Sequence, residues 1–171
     1  AGYKILIGSR TEEKGKAAAE ALLAEFPDLN VSGHENLEAA TAADLVVITV
    51  PFDHQISTLE TVKAGLIGKI LIDVTVPLRP PKVGTVQLPE GGSAGQMAQD
   101  FLGEDVHVVS AFQNVGAVHL QEDHKIQCDV LVTGNKRAAR DEAIKLVEAV
   151  GLRGWHAGPI ANAAAAEALT S

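Results

Sequence analysis

The sequence predicts an α/β domain, doubly wound around a mostly parallel sheet. Three observations carry that expectation. Short apolar runs rich in β-branched residues alternate with longer patterns of helical period. A repeated strand–helix order with right-handed crossovers puts helices on both faces of such a sheet. Aromatic residues make up only 4% of the 171 residues, so the layers must pack through small side chains. A chain of this length can remove roughly 70% of its unfolded surface from water, and residues 1–171 are read as one domain.

Tyr3 to Ile7 is the first strand, closed by Gly8. Thr11 to Phe26 follows as a helix. Ala18, Leu22 and Phe26 share its expected inner face, and Ser9 with Glu12 forms a candidate capping box. Pro27-Asp28 ends it. A weak strand at Val31 and a short helix over Asn36 to Ala43 lead to DLVVITV, Asp44 to Val50. That run is apolar almost throughout, as a strand covered on both faces should be. Pro51 stops it, and His54 to Ala64 is helical.

Lys69 to Val74 is the next buried strand. The segment from Thr75 to about Gly92 holds Pro77, Pro80, Pro81 and Pro89, and connections of that length are often functional. Ser93 to Leu102 is a helix, Val106 to Ser110 a strand and Asn114 to Leu120 a helix. Asp129 to Thr133 is a strand. Lys136 to Val150 is a helix with Ile144, Val147 and Val150 turned inward. Leu152 to His156 is the last strand, and Ile160 to Leu169 the last helix.

Apolar residues are 46% and charged residues 21% of the chain, which excludes a disordered or collagen-like protein. No apolar run approaches the ~20 residues that a membrane helix needs. The formal net charge is −8 and no basic stripe stands out, so nucleic acid is not expected as a partner. With Cys128 as the single cysteine, no intrachain disulfide can form, and a reducing cytoplasm is expected.

In doubly wound sheets ligands sit beyond the carboxyl ends of the strands. After the first strand come Gly8-Ser9-Arg10, with Lys14 one helical turn on. A hydroxyl, a planar guanidinium fork and a second cation suit a phosphate such as the 2′-phosphate of NADP. The alternative reading is a helix cap followed by solvated charges. After the later strands come Val50-Pro51-Phe52-Asp53-His54, then Thr75-Val76-Pro77, then Ala111-Phe112-Gln113-Asn114. Proline at a strand end stops the ladder and turns the chain across the sheet edge. Two such turns on neighbouring strands shape an apolar floor, which hydride transfer needs more than a strong base. His54 reads as a crevice residue or a plain helix start, and Asn114 as a site amide or an N-cap.

Gly91-Gly92-Ser93-Ala94-Gly95 opens a helix and could hold an anion there, with a plain surface turn as the alternative. No G-x-G-x-x-G turn lies ahead of Gly8. His119 and His124, with Asp123 beside them, are five apart and do not share a helix face, so no metal site is expected.

Taken together, these strand-end segments resemble the NADP oxidoreductases that depend on the deazaflavin coenzyme F420. The matching stretches are Ile7-Gly8-Ser9-Arg10 with Glu12-Glu13-Lys14, Thr49-Val50-Pro51-Phe52-Asp53-His54, Val109-Ser110-Ala111, Cys128-Asp129-Val130, and Gly151-Leu152-Arg153 with Ala157-Gly158-Pro159. The resemblance implies a Rossmann-like domain that transfers a hydride between NADP(H) and coenzyme F420. It implies that Ser9, Arg10 and Lys14 hold the 2′-phosphate and that Val50, Pro51 and His54 line the NADP crevice. Val76 and Pro77 would border the nicotinamide, and Ala111, Phe112 and Gln113 would approach the deazaflavin. No residue is expected to act as acid or base, since the hydride passes by proximity.

The chain enters at what is the family's second strand, so the expected fold lacks the first strand and the glycine-rich turn, and the chain as given is expected to bind nucleotide weakly. Many members carry a histidine just after the Ser-Ala pair, where Phe112 stands here. A homodimer is expected of the full-length parent. Two other readings stay open: an NADPH-dependent reductase of a small imine or keto substrate, and a nucleotide-binding module without catalysis.

Overall fold

The computed structural model describes residues 2–78, 81, 84–121 and 127–170. Among these described residues there are seven strands: β1 (Ile5–Ser9), β2 (Val31–Glu35), β3 (Leu45–Ile48), β4 (Ile70–Asp73), β5 (His107–Ser110), β6 (Asp129–Gly134) and β7 (Arg153–His156). They alternate with α1 (Glu12–Glu25), α2 (Asn36–Ala42), α3 (Gln55–Leu66), α4 (Ala94–Leu102), α5 (Ala117–Gln121), α6 (Arg137–Ala149) and α7 (Ala163–Ala168). The expected α/β alternation holds along the described chain.

The strands form two sheets, β1-β2 and β3-β4-β5-β6-β7. Every pairing is parallel except β5 with β6, where Val109 faces Gly134 and Ser110 faces Thr133. Period-two alternation sends neighbouring residues to opposite layers. Leu71 and Val108 join Leu59, Leu66, Ala98 and Leu102 on the α3–α4 side. Ile72 and Val109 join Val130, Ala139, Ala143 and Val147 on the α6 side. Leu71 and Ile72 are both fully buried, each worth about 2 kcal/mol in transfer from water. Helices therefore cover both faces, as doubly wound topology requires.

Helix α1 meets β2 backbone to backbone. A methyl group on Gly33 would lie 2.0 Å from the carbonyl carbon of Gly15, and one on Gly15 would lie 2.4 Å from the His34 oxygen. This approach corrects the expected inner face of α1. Gly15 and Ala19 are its buried residues, while Leu22 and Phe26 are exposed. Small residues bring the helix axis so close that larger side chains can only point outward. The start of α1 also differs from expectation, since Thr11, not Ser9, is the N-cap and accepts from the Lys14 N–H at 3.4 Å. At the end of α6, Val147 is buried but Val150 lies past the helix and is 44% exposed.

The two sheets are separated by a slot between β1 and β3. It is open to solvent and is lined by Leu6 and Gly8 from β1, by residues 45–50, and by α2 and α3. In a strand, successive residues turn their backbone polar groups to opposite edges. Ile5 donates to Asn30 on the β2 side, so Leu6 and Gly8 face the slot. Ile48 accepts from Val74 on the β4 side, so Val47 faces it from the other wall. The slot leaves the facing edges of β1 and β3 unpaired among the described residues, and it explains a second departure. DLVVITV reads as a strand covered on both faces, yet Val47 is 40% exposed, because β3 ends its sheet here.

Candidate cofactor site

Strands β3, β4 and β5 are adjacent and parallel, so their carboxyl ends share one edge. Three groups of singled-out residues meet there: Val50 and Pro51, Val76 and Pro77, and Ala111 to Gln113. Val50 and Val76 are half-buried and Ala111 is fully buried. Pro51 is exposed and precedes the one-turn helix Phe52–His54. His54 is exposed and begins α3 without a side-chain capping bond.

Across the mouth of the slot stands the end of β1. Ser9 is half-buried, and Arg10 and Lys14 are exposed. Among the described residues no carboxylate pairs with either cation, whereas Lys16 on the same helix pairs with Glu12 at 2.6 Å. A hydroxyl and two uncommitted cations on one turn are a donor set that fits a phosphate.

Beneath that floor lies a buried polar cluster that sequence reasoning missed. Gln55 and Asp73 are fully buried and hydrogen-bonded to each other, Gln55 Nε2 donating to the Asp73 carboxylate. Gln55 Nε2 also donates to the Ala94 carbonyl at 3.0 Å, and the Thr75 N–H donates to Asp73 Oδ1 at 2.9 Å. Burial pushes the Asp73 carboxyl above its usual range, against the hydrogen bonds from Thr75 and Gln55. Glu167, on α7, accepts from the N–H groups of Ala94 at 2.7 Å and Gly95 at 3.0 Å. Burial pushes its carboxyl up to about 7, opposed by those two backbone bonds and aided by the charge of Asp73.

Glu167 settles the fate of the glycine-rich stretch at 91–95. The start of α4 is already occupied by the protein's own Glu167 carboxyl group, with Ser93 as N-cap accepting from Gln96 at 3.0 Å. An external anion has no place there. The sequence carried faint signals for this cluster: Asp73 is the acid in ILID, and Glu167 the lone charge of an alanine-rich helix. Gln55 gave none, since a glutamine early in a helix normally faces water.

Gln113 donates to the Asp73 carbonyl at 3.0 Å and to Ser110 Oγ at 2.7 Å. Asn114 does not cap a helix. Its amide donates to the Asp129 carbonyl at 2.8 Å and to Cys128 Sγ at 3.0 Å, and α5 begins only at Ala117. Of the residues weighed for a metal, Asp123 and His124 lie outside the described residues, and among those described no three ligating side chains cluster.

Comparison with known proteins now bears on this geometry. The family described as "NADP oxidoreductase coenzyme F420-dependent" matches residues 1–77. The F420-dependent NADP reductase of Methanothermobacter marburgensis is 36% identical over 178 residues, spanning 99% of this chain and 80% of the relative. The chain belongs to this family. The F420-dependent NADP reductase of Methanocaldococcus jannaschii is also 36% identical, over 98% of this chain and 78% of its own length. Among solved structures, a protein described as an F420-dependent NADP reductase from an Arthrobacter species superposes with a TM-score of 0.82 at 26% identity, covering 97% of this chain and 79% of that one.

The chain is accordingly an F420-dependent NADP oxidoreductase, an enzyme that transfers a hydride between NADP(H) and coenzyme F420. Its fold is the Rossmann-like α/β fold of its relatives. No helix among the described residues is long and apolar enough to cross a membrane.

Proposed function

We propose that this F420-dependent reductase binds NADP with the 2′-phosphate on Ser9, Arg10 and Lys14. The observation that carries the proposal is the pair of uncommitted cations at the carboxyl end of β1, facing the apolar strand ends across the slot mouth. Arg10 offers a planar fork to phosphate oxygens, and Lys14 adds a point charge one turn on. Val50, Pro51 and His54 line the crevice, Val76 and Pro77 border the nicotinamide, and Ala111 and Phe112, held by Gln113 behind them, form the deazaflavin side. The reduced cofactor carries its hydride on carbon, so the protein need not move a proton at that atom. The chain's own contribution is to bind, align and dry the reacting faces, which is what the half-buried and buried valines and alanine at the β3–β5 ends supply.

The proposed setting is the cytoplasm, with two copies associating. Leu169 is 79% exposed and lines a shallow hollow with Gln113, Leu131 and Ala166, apolar surface that a second copy could cover. Sedimentation of the full-length protein checks this, with a single monomer species as the contrary result.

Arg10→Glu tests the phosphate assignment. In the full-length protein it should shift preference from NADP towards NAD, raising KM for NADP by tenfold or more, about 1.4 kcal/mol. An unchanged NADP preference would make Arg10 a solvated surface charge.

A further inference from the structure

Phe112 is the one non-glycine residue with a left-handed backbone among those described, at φ 70°. A bulky side chain rarely adopts that region, and such residues persist only where their surroundings over-determine them. Here the surroundings are unusual. A single acceptor, the carbonyl oxygen of Asp73, receives the Ala111 N–H at 3.1 Å and the Gln113 side-chain amide at 3.0 Å. The residues on either side of Phe112 are thus tied to one point on β4. Gln113 is fixed again by Ser110 Oγ at 2.7 Å, and the Val115 N–H closes the turn onto the Phe112 carbonyl at 3.0 Å. The Phe112 ring is half-buried against the α6-side core, two residues past the end of β5.

We propose that Gln113 is a positioning residue rather than a ligand contact, and that it fixes Phe112 as a specificity wall for the planar deazaflavin. The inference rests on the assignment of the β5 end to the deazaflavin side. The Gln113 amide nitrogen is spent on protein acceptors, so it has no donor aimed at a cofactor. Phe112, with a rigid ring and a locked backbone, gives a flat apolar surface at a set angle, which suits the edge or face of a fused ring system. Nothing in the clasp touches Ser9, Arg10 or Lys14, so the phosphate anchor of NADP does not depend on it.

The test is a double-mutant cycle read by equilibrium binding to the full-length protein, using coenzyme F420 and NADPH as separate probes. Phe112→Gly accepts the left-handed backbone and deletes the ring. Gln113→Leu keeps the size and deletes both hydrogen bonds. Each single variant should raise the Kd for F420 about tenfold and leave the Kd for NADPH within about twofold. The double variant should bind F420 no worse than Phe112→Gly alone, because Gln113 acts through Phe112. Multiplying effects would show that Gln113 contacts the cofactor itself and would overturn the proposal. So would an unchanged F420 Kd in Phe112→Gly, or an equal loss of NADPH binding in Gln113→Leu. Wild-type protein that binds NADPH but no F420 would instead refute the assignment of the β5 end.

Discussion

Glu167 shows what one residue can impose on the whole molecule. Its carboxyl titrates near 7 when folded and near 4.5 when free. Between those values the folded state holds a proton that the unfolded state has released, so folding weakens as pH rises through the window. The contribution is complete below about pH 4.5 and gone above about pH 7, on the order of 3 kcal/mol at most. Asp73 is raised as well and adds in the same direction. Thermal melts of the wild type should therefore fall between pH 5 and pH 8, and Glu167→Gln should flatten most of that slope. A wild type equally stable at both pH values would mean that water reaches the carboxylate. Phe112 stores a different cost, about 1–3 kcal/mol of backbone strain, which no residue pattern in AFQN announces. Left-handed backbone is legible when glycine carries it and hidden when phenylalanine does.

At the scale of elements, β4, β5 and α6 were readable because their patterns are long and their burial complete. Boundaries moved by a residue or two, as fraying ends do. The inner face of α1 was not readable. Periodicity favours the large residues Leu22 and Phe26, but packing favoured Gly15 and Ala19, since only they let the helix touch β2. Gly33→Ala should accordingly cost about 1–3 kcal/mol through forced separation of α1 and β2, measured by urea denaturation. A cost within ~0.3 kcal/mol would show the contact to be loose. The slot makes a further prediction. The amides of Leu6, Gly8 and Val47, turned to the unpaired edges, should exchange with solvent far faster than those of Val108 and Val109 in the middle of the sheet. Equal protection would mean that the slot closes in solution.

For the molecule as a whole, topology gathers what the sequence scatters. Ser9, Val50, Val76 and Ala111 are far apart in sequence, and only parallel topology brings them to facing edges. The cluster of Gln55, Asp73 and Glu167 stayed hidden because its partners lie 18 and 73 residues from their hydrogen-bond acceptors or donors, beyond any local spacing rule. Aligned, dry surfaces should pass the hydride directly between the two cofactors. The most direct measurement uses NADPH deuterated at the transferable position of the nicotinamide, mixed with oxidised coenzyme F420 and the full-length protein in ordinary water. Deuterium retained on the ring carbon of reduced F420, with bleaching of the deazaflavin absorbance, is the predicted result. Label lost to solvent, or no bleaching at all, would contradict it.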